Sequence, residues 1–153
     1  AQPQGCGLMA WLLDTNVISE WRKPRPAQKV IDFLSSERRM DLFVSAVTFA
    51  EIRFGADTVR DEGRREGILR WLDDELRSFF DQTTLPMSED ILLAALQLVD
   101  KANRHREPMP QADAWIAASA MVHKLVVVTR NTADFVTAGI PLFNPWTGER
   151  RGV

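Results

Sequence analysis

The stretch that decides the fold is Trp11–Asn16, WLLDTN, in which three consecutive apolar residues end at the carboxylate of Asp14. A short apolar run bounded by a polar cluster predicts a buried β-strand. Similar runs occur at Leu42–Val44 and at Leu125–Val128, where the uninterrupted apolar and branched residues favour a strand. Strands without a polar face are typical of a parallel sheet that is covered on both sides.

Helical patterns fill the segments between these strands. A shorter edge strand is predicted at Thr83–Pro86 and a last strand around Leu142 and Phe143. Thr48 and Glu51 have the spacing of a capping box, which predicts Thr48 as the residue before a helix. The other predicted helices are Ala27–Ser36, the amphipathic stripe Ile68–Phe80, a helix from Ser88 that ends before Pro108, Ala112–His123 and Ala133–Thr137. This alternation predicts an α/β sandwich with a mainly parallel sheet.

Composition limits the class of protein. The 153 residues are 45% hydrophobic and 26% charged, which is typical of one globular domain. A formal net charge of −2 argues against a protein that binds DNA tightly and non-specifically through attraction to its phosphates. Cys6 is the single cysteine, so the 153 residues hold no internal disulfide, and a cytoplasmic location is expected. No apolar run reaches the roughly 18 residues that a membrane-spanning helix needs.

The first residues are predicted to lie outside the domain. Residues 1–8 are interpreted as a tag or an upstream extension, with Met9 as the natural start. Residues 9–153 hold no internal repeat and no linker rich in glycine and serine, so they are expected to form a single domain.

Four acidic residues fall at predicted strand ends or helix starts, namely Asp14, Glu51, Asp113 and Asp134. In parallel sheets the functional groups gather at the carboxyl ends of the strands. Two carboxylates about 4 Å apart repel each other by on the order of 4 kcal/mol at an effective dielectric constant near 20. A hard divalent cation removes this repulsion, and an all-oxygen ligand set suits Mg²⁺ or Mn²⁺ better than zinc.

Four segments of the sequence resemble the PIN-domain family, in particular the VapC-like and FitB-like toxins of type II toxin–antitoxin systems. The segments are LDTN at Leu13–Asn16, SAVTFAEI at Ser45–Ile52, ADAWIAA at Ala112–Ala118 and VTRNTADF at Val128–Phe135. Each segment is weak evidence alone, but their order covers nearly the whole chain after Met9. The resemblance implies a three-layer α/β/α sandwich with a mainly parallel central sheet.

The resemblance also implies roles for individual residues. Asp14, Glu51 and Asp113 correspond to the core acidic triad of the family, and Asp134 is the nearest carboxylate to a fourth acidic position. Asp14 and Asp113 are expected to bind the metal directly, with Glu51 acting through water or helping to activate the nucleophile. Many relatives carry an aspartate where this sequence has Asn131, so the resemblance allows a site with either one metal ion or two. The predicted supporting residues are Thr15, Asn16, Ser45, Thr129 and Asn131.

Each acidic residue also has a purely structural interpretation. Asp14 could simply end a strand in an Asx-turn. Glu51 could be only the capping-box partner of Thr48, and Asp113 could be only a residue at the start of a helix. For Asp134 the helix-start interpretation is the stronger one. The basic residues Arg22 and Lys23 follow closely after the first strand, so contact with RNA phosphates is a hypothesis for them.

The function implied by the resemblance is a metal-dependent endoribonuclease that acts as a toxin, with Mg²⁺ as cofactor and Mn²⁺ as a substitute. The expected partners are an RNA substrate, a cognate antitoxin that carries operator DNA binding, and a second copy of the chain; no membrane is expected. The alternative is an RNA-binding or scaffold module with little nuclease activity. Two other families fit the sequence less well. A haloacid dehalogenase-type phosphatase would need Asp-x-Asp at positions 14–16, but the third of these residues is Asn16. A receiver domain would need a lysine after a late strand, but Arg130 follows Thr129.

Overall fold

The computed structural model describes residues 9–153 of the chain. Residues 1–8, predicted to be a tag or extension, lie outside the described residues. Within residues 9–153, one six-stranded sheet has the strand order β3-β2-β1-β4-β5-β6. The strands are Trp11–Leu13 (β1), Leu42–Ser45 (β2), Thr84–Leu85 (β3), Val126–Val128 (β4), Leu142–Phe143 (β5) and Arg150–Arg151 (β6).

The first strand lies at the centre of the sheet. β1 pairs with β2 on one side and with β4 on the other, both in parallel. The pairs β2–β3 and β4–β5 are parallel as well, and the β5–β6 pair is antiparallel. The prediction of a mainly parallel sheet is therefore confirmed.

Helices connect the strands and cover both faces. They are Thr15–Glu20 (α1), Gln28–Ser36 (α2), Ala46–Asp57 (α3), Glu62–Arg70 (α4), Arg77–Phe79 (α5), Glu89–Arg104 (α6) and Gln111–His123 (α7). A π-helical segment, Trp71–Leu76, joins α4 to α5, and short 3₁₀ helices cover Arg39–Asp41 and Thr132–Ala138. No helix of residues 9–153 is long and apolar enough to cross a membrane.

Alternation along the strands builds two hydrophobic cores. Leu12 and Val127 belong to a core on one face that includes Ile91 of α6 and Ile116 of α7. Trp11, Leu13 and Val128 belong to the core on the other face. That second core also takes in α1, α2 and the π-helical segment through the residues Val17, Val30 and Leu72. Successive residues of a strand point to opposite faces, so the two cores establish the predicted three-layer α/β/α sandwich.

The structure corrects the predicted start of the helix that carries Glu51. Ser45, rather than Thr48, is the N-cap: its Oγ accepts a hydrogen bond of 3.1 Å from the backbone N–H of Val47. Thr48 is fully buried inside α3. The capping-box interpretation of Thr48 and Glu51 is therefore wrong, because the helix starts directly at the end of β2.

The helix α1 and the strand β6 are among the elements that had no sequence-based prediction. α1 follows Asp14 without a loop, and Asp14 itself is its N-cap, with Oδ1 accepting a 2.8 Å hydrogen bond from the backbone N–H of Thr15. β6 is a two-residue antiparallel strand after Gly148, whose φ of +80° a residue with a side chain rarely adopts.

Candidate metal centre

Asp14 is the most buried of the four predicted acids. It directly follows β1 and is 8% exposed. Its Oδ2 accepts a 2.8 Å hydrogen bond from the Thr129 hydroxyl and a 3.2 Å hydrogen bond from Asn16 Nδ2, while Oδ1 accepts only from the backbone N–H of Thr15 within residues 9–153. A carboxylate oxygen offers about two acceptor sites, so Oδ1 retains one for a ligand.

Two polar side chains join the ends of β1 and β4. Asn16 Nδ2 lies 3.3 Å from Thr129 Oγ1, and Asn16 Oδ1 accepts a 3.2 Å hydrogen bond from the backbone N–H of Arg130. Thr129 Oγ1 also accepts from the backbone N–H of Asn131 at 3.1 Å. The predicted supporting residues Asn16, Thr129 and Asn131 thus meet around Asp14; Asn131 contributes its backbone rather than its amide to these contacts.

Glu51 is linked to the first strand through Thr15. The Thr15 hydroxyl donates a 2.8 Å hydrogen bond to Glu51 Oε1, and its oxygen lies 3.3 Å from that of Thr48. Ser45 is fully buried one turn earlier, where its hydroxyl caps α3 and lies 4.0 Å from Met87 Sδ. Ser45 therefore positions the helix that carries Glu51.

Asp113 and Asp134 complete the acidic set from two other elements. Asp113 lies in the first turn of α7, and Asp134 lies in the first turn of the 3₁₀ helix Thr132–Ala138. Burial and the negative charges of Asp14, Asp134 and Glu51 raise the pKa of Asp113 to about 6. The carboxylates of Asp14, Asp134 and Glu51 therefore lie close enough to Asp113 to repel its charge.

The pKa values of Asp14 and Glu51 are raised as well. Desolvation raises the pKa of Asp14, and the charge of Asp134 adds to this rise, while the hydrogen bonds from Thr129, Thr15 and Asn16 lower it. Desolvation and the charge of Asp14 raise the pKa of Glu51, against the hydrogen bond from Thr15. Burial, with a smaller contribution from neighbouring negative charge, thus raises the pKa of both groups more than the hydrogen bonds lower it.

The acids do not form a closed metal cage. In the part of the chain that the structure describes, no group of three carboxylate, imidazole or thiol side chains is placed to hold a metal ion by itself. Mg²⁺ usually keeps several waters and binds through one or two carboxylates. The acidic side chains offer only oxygen ligands, Asp14 Oδ1 retains an acceptor site, and the neighbouring carboxylates are negatively charged. This arrangement fits such a hydrated dication.

Sequence reasoning missed one residue that supports this site. Asn144 is 6% exposed and follows β5. Its Nδ2 donates a 3.3 Å hydrogen bond to the carbonyl of Arg130, and its Oδ1 accepts a 2.9 Å hydrogen bond from the backbone N–H of Trp146. The pair Asn144-Pro145 is a turn signal, but only the fold brings this turn against the loop that follows β4.

Comparison with known proteins gives the family. The family model "PIN domain" matches residues 11–139. Toxin FitB of Neisseria gonorrhoeae is 36% identical over 135 residues, which cover 88% of this chain and 97% of that protein. VapC ribonuclease Y4jK of Sinorhizobium fredii is 34% identical over 135 residues, covering 88% of this chain and 96% of that protein.

The fold agrees with this comparison. The solved structure of FitAB bound to the IR36 DNA fragment aligns with a TM-score of 0.81 and 34% identity, covering 89% of this chain and 95% of that chain. The resemblance on the four sequence segments is thereby confirmed. The chain belongs to the PIN-domain family.

Proposed function

We propose that this protein is a divalent-metal-dependent endoribonuclease and the toxin of a toxin–antitoxin pair. The observation that carries the proposal is that carboxylates at the end of β1 and in α3, α7 and the 3₁₀ helix lie close together. Burial and mutual repulsion raise the pKa of Asp14, Glu51 and Asp113, and none of the four acids forms an ion pair within residues 9–153. The relatives named toxin and VapC ribonuclease support the reaction class.

In this proposal Asp14 and Asp113 hold the metal, which is Mg²⁺ with Mn²⁺ as a substitute. A bound dication would lower the pKa of a coordinated water and offset negative charge on the scissile phosphate. Thr129 and Asn16 orient the Asp14 carboxylate through their hydrogen bonds to Oδ2. Asp134 adds negative charge near Asp14 and Asp113, which favours cation binding.

Glu51 is proposed to act on the water that attacks the phosphate. Thr15 fixes Oε1 by a 2.8 Å hydrogen bond, and within residues 9–153 Oε2 has no hydrogen-bond partner. Its raised pKa makes this carboxylate a better proton acceptor than an ordinary glutamate. Oε2 would accept a proton from the water as the water oxygen forms a bond to phosphorus and the bond between phosphorus and the 3′-oxygen breaks. The 3′-oxygen would take up a proton from solvent, which gives a 3′-hydroxyl and a 5′-phosphate.

The proposed partners follow from the family. In the related solved structure, FitAB is bound to a DNA fragment. We propose that a cognate antitoxin brings this chain to operator DNA. We also propose that the chain forms a homodimer. The RNA substrate makes the cytoplasm the proposed compartment.

The test compares the purified wild type with Asp113→Asn on total RNA, in Mn²⁺, in Mg²⁺ and in EDTA. We expect cleavage by the wild type in either metal and none in EDTA. Asp113→Asn should lose on the order of a hundredfold in rate, because the amide removes the negative charge of a proposed metal ligand. Equal cleavage by the variant, or cleavage in EDTA, would reject the proposal.

The alternative, an RNA-binding or scaffold module, is favoured by one observation: the family position with aspartate in many relatives is Asn131 here. RNA binding by the wild type without cleavage in either metal would select this alternative.

A further inference from the structure

A groove of about 680 Å³ adjoins the acidic site. Its walls contain Thr15 and Glu51 of that site together with three cations, Arg22, Lys23 and Arg64. We call it the basic groove. Its remaining lining is mostly apolar or small and comes from α1 and the turn after it, from α3, from α4 and from the start of the π-helical segment.

Arg22 is held in place before any ligand binds. Its guanidinium carbon lies 5.8 Å from the centre of the Trp71 ring, at a distance typical of a cation–π contact. A Cβ at position 67 would lie 3.1 Å from Arg22 Nη2, so Gly67 leaves room for the guanidinium to lie against α4. Such fixation reduces the entropy that binding would cost.

The charges of two of the cations are not neutralised within residues 9–153. Lys23 Nζ forms an ion pair of 2.8 Å with Glu20 Oε2, so its charge is largely committed. Arg22 and Arg64 are both exposed and make no ion pair with any described residue.

We propose that Arg22 and Arg64 bind backbone phosphates of the RNA strand on one side of the bond that is cleaved. The inference rests on the proposed function. A polyanion that approaches four carboxylates needs positive charge beside them, and the basic groove supplies it next to Glu51. A guanidinium matches a phosphate with two parallel hydrogen bonds. An acidic peptide is the competing ligand for these cations.

The binding test uses Asp113→Asn protein, which is not expected to cut, and a fluorescein-labelled single-stranded RNA of mixed sequence. In this background, Arg22→Gln/Arg64→Gln is compared with Arg53→Gln/Arg70→Gln, a charge-matched pair of exposed arginines outside the groove. The slope of log K against log salt concentration is negative, and each lost phosphate contact reduces its magnitude by about 0.7. We expect the two substitutions of the groove pair to reduce this magnitude by about 1.4 and to weaken binding, and the control pair to retain the parent values.

A second readout separates binding in the groove from damage to the acidic site. In the otherwise wild-type protein, the groove pair should raise KM for RNA while hydrolysis of bis(p-nitrophenyl) phosphate in Mn²⁺ stays unchanged, since this small ester does not extend into the groove. Thermal unfolding of both pairs checks the fold.

Either of two results would overturn the inference. In the first, the groove pair and the control pair show the same salt slope and the same affinity for RNA. In the second, the groove pair binds a polyglutamate peptide more weakly but binds RNA as the parent does. The binding assay needs no cleavage, so a failure of the proposed nuclease activity is seen separately in the comparison of wild type with Asp113→Asn.

Discussion

The Thr129 hydroxyl donates a 2.8 Å hydrogen bond to Asp14 Oδ2 across 115 positions of sequence. This contact joins the carboxyl ends of two neighbouring parallel strands, β1 and β4. Both residues are buried, with Thr129 fully so. The hydrogen bond lowers the pKa of Asp14 and opposes the desolvation that raises it, so Thr129 keeps the carboxylate charged and oriented.

Replacing Thr129 by valine should remove this support with little change of shape. We expect a loss of about 1 to 3 kcal/mol in the free energy of unfolding, because a buried acceptor loses its donor, and a higher Mn²⁺ concentration for half-maximal stabilisation. Urea denaturation with and without Mn²⁺ measures both. Thr129→Ser retains the hydroxyl and is the control; a valine variant that matches the serine variant in both measurements would contradict this role.

Asp113 gives a prediction for pH. Its pKa is raised from 3.8 to about 6, so at pH below 3.8 it is protonated in the folded and unfolded states alike and contributes nothing to the pH dependence. As the pH rises through the window from 3.8 to about 6, the unfolded carboxyl ionises first, and the group progressively destabilises the metal-free fold.

The test compares metal-free wild type and Asp113→Asn by urea denaturation between pH 4 and pH 7. The stability of the variant relative to wild type should increase by on the order of 1 to 2 kcal/mol over this range, after allowance for solvent screening. Asp74→Asn, at an exposed position of the π-helical segment, is the control. Mn²⁺ should reduce the difference at pH 7, and a difference independent of pH would contradict the raised pKa.

Asp134 and Asn131 test how the fourth acidic position is filled. The Asp134 charge raises the pKa of both Asp14 and Asp113, so Asp134→Asn should weaken Mn²⁺ binding several-fold. Asn131→Asp in that background returns one charge to the same loop and should recover part of the affinity. Calorimetric titration with Mn²⁺ measures both changes. Unchanged affinity in Asp134→Asn would leave Asp134 as a residue that only begins the 3₁₀ helix.

Strands β1, β2, β4 and β5 could be predicted from the sequence because they are short, mostly apolar runs that need no partner to be recognised, whereas the two arginines of β6 carry no such signal. Leu13–Asn16 and Val128–Phe135 also identified the acidic site, since strand ends are visible in the pattern. The order of strands and the contact between Thr129 and Asp14 could not be read in this way, because they depend on which strands pair.

The errors have the same origin. Thr48 and Glu51 have capping-box spacing, but the helix begins three residues earlier because Ser45 ends β2 and caps α3. α1 was missed because Val17 and Ile18, both β-branched, lower its intrinsic helix propensity. Burial of these two residues in the second core stabilises the helix instead, and local sequence does not contain that information.

Asn144 provides the last prediction, because it links the C-terminal turn to the loop that holds Thr129. Its Oδ1 accepts from the backbone N–H of Trp146, and its Nδ2 donates to the carbonyl of Arg130. Aspartate at this position keeps the first hydrogen bond and loses the second, whereas alanine loses both. Asn144→Asp should therefore fold with a shifted loop, and Asn144→Ala should lose a further 1 kcal/mol or so of stability.

The decisive measurement is Mn²⁺ affinity, because a role confined to the turn would leave it unchanged in Asn144→Asp. We expect a several-fold loss of affinity, since Arg130 N–H positions Asn16 and Asn16 in turn contacts Asp14. Thr147→Ala, which removes a hydroxyl of the same turn that accepts from the Glu149 backbone N–H at 3.2 Å, is the control. Equal Mn²⁺ affinity in Asn144→Asp and Thr147→Ala would restrict Asn144 to stabilising its own turn.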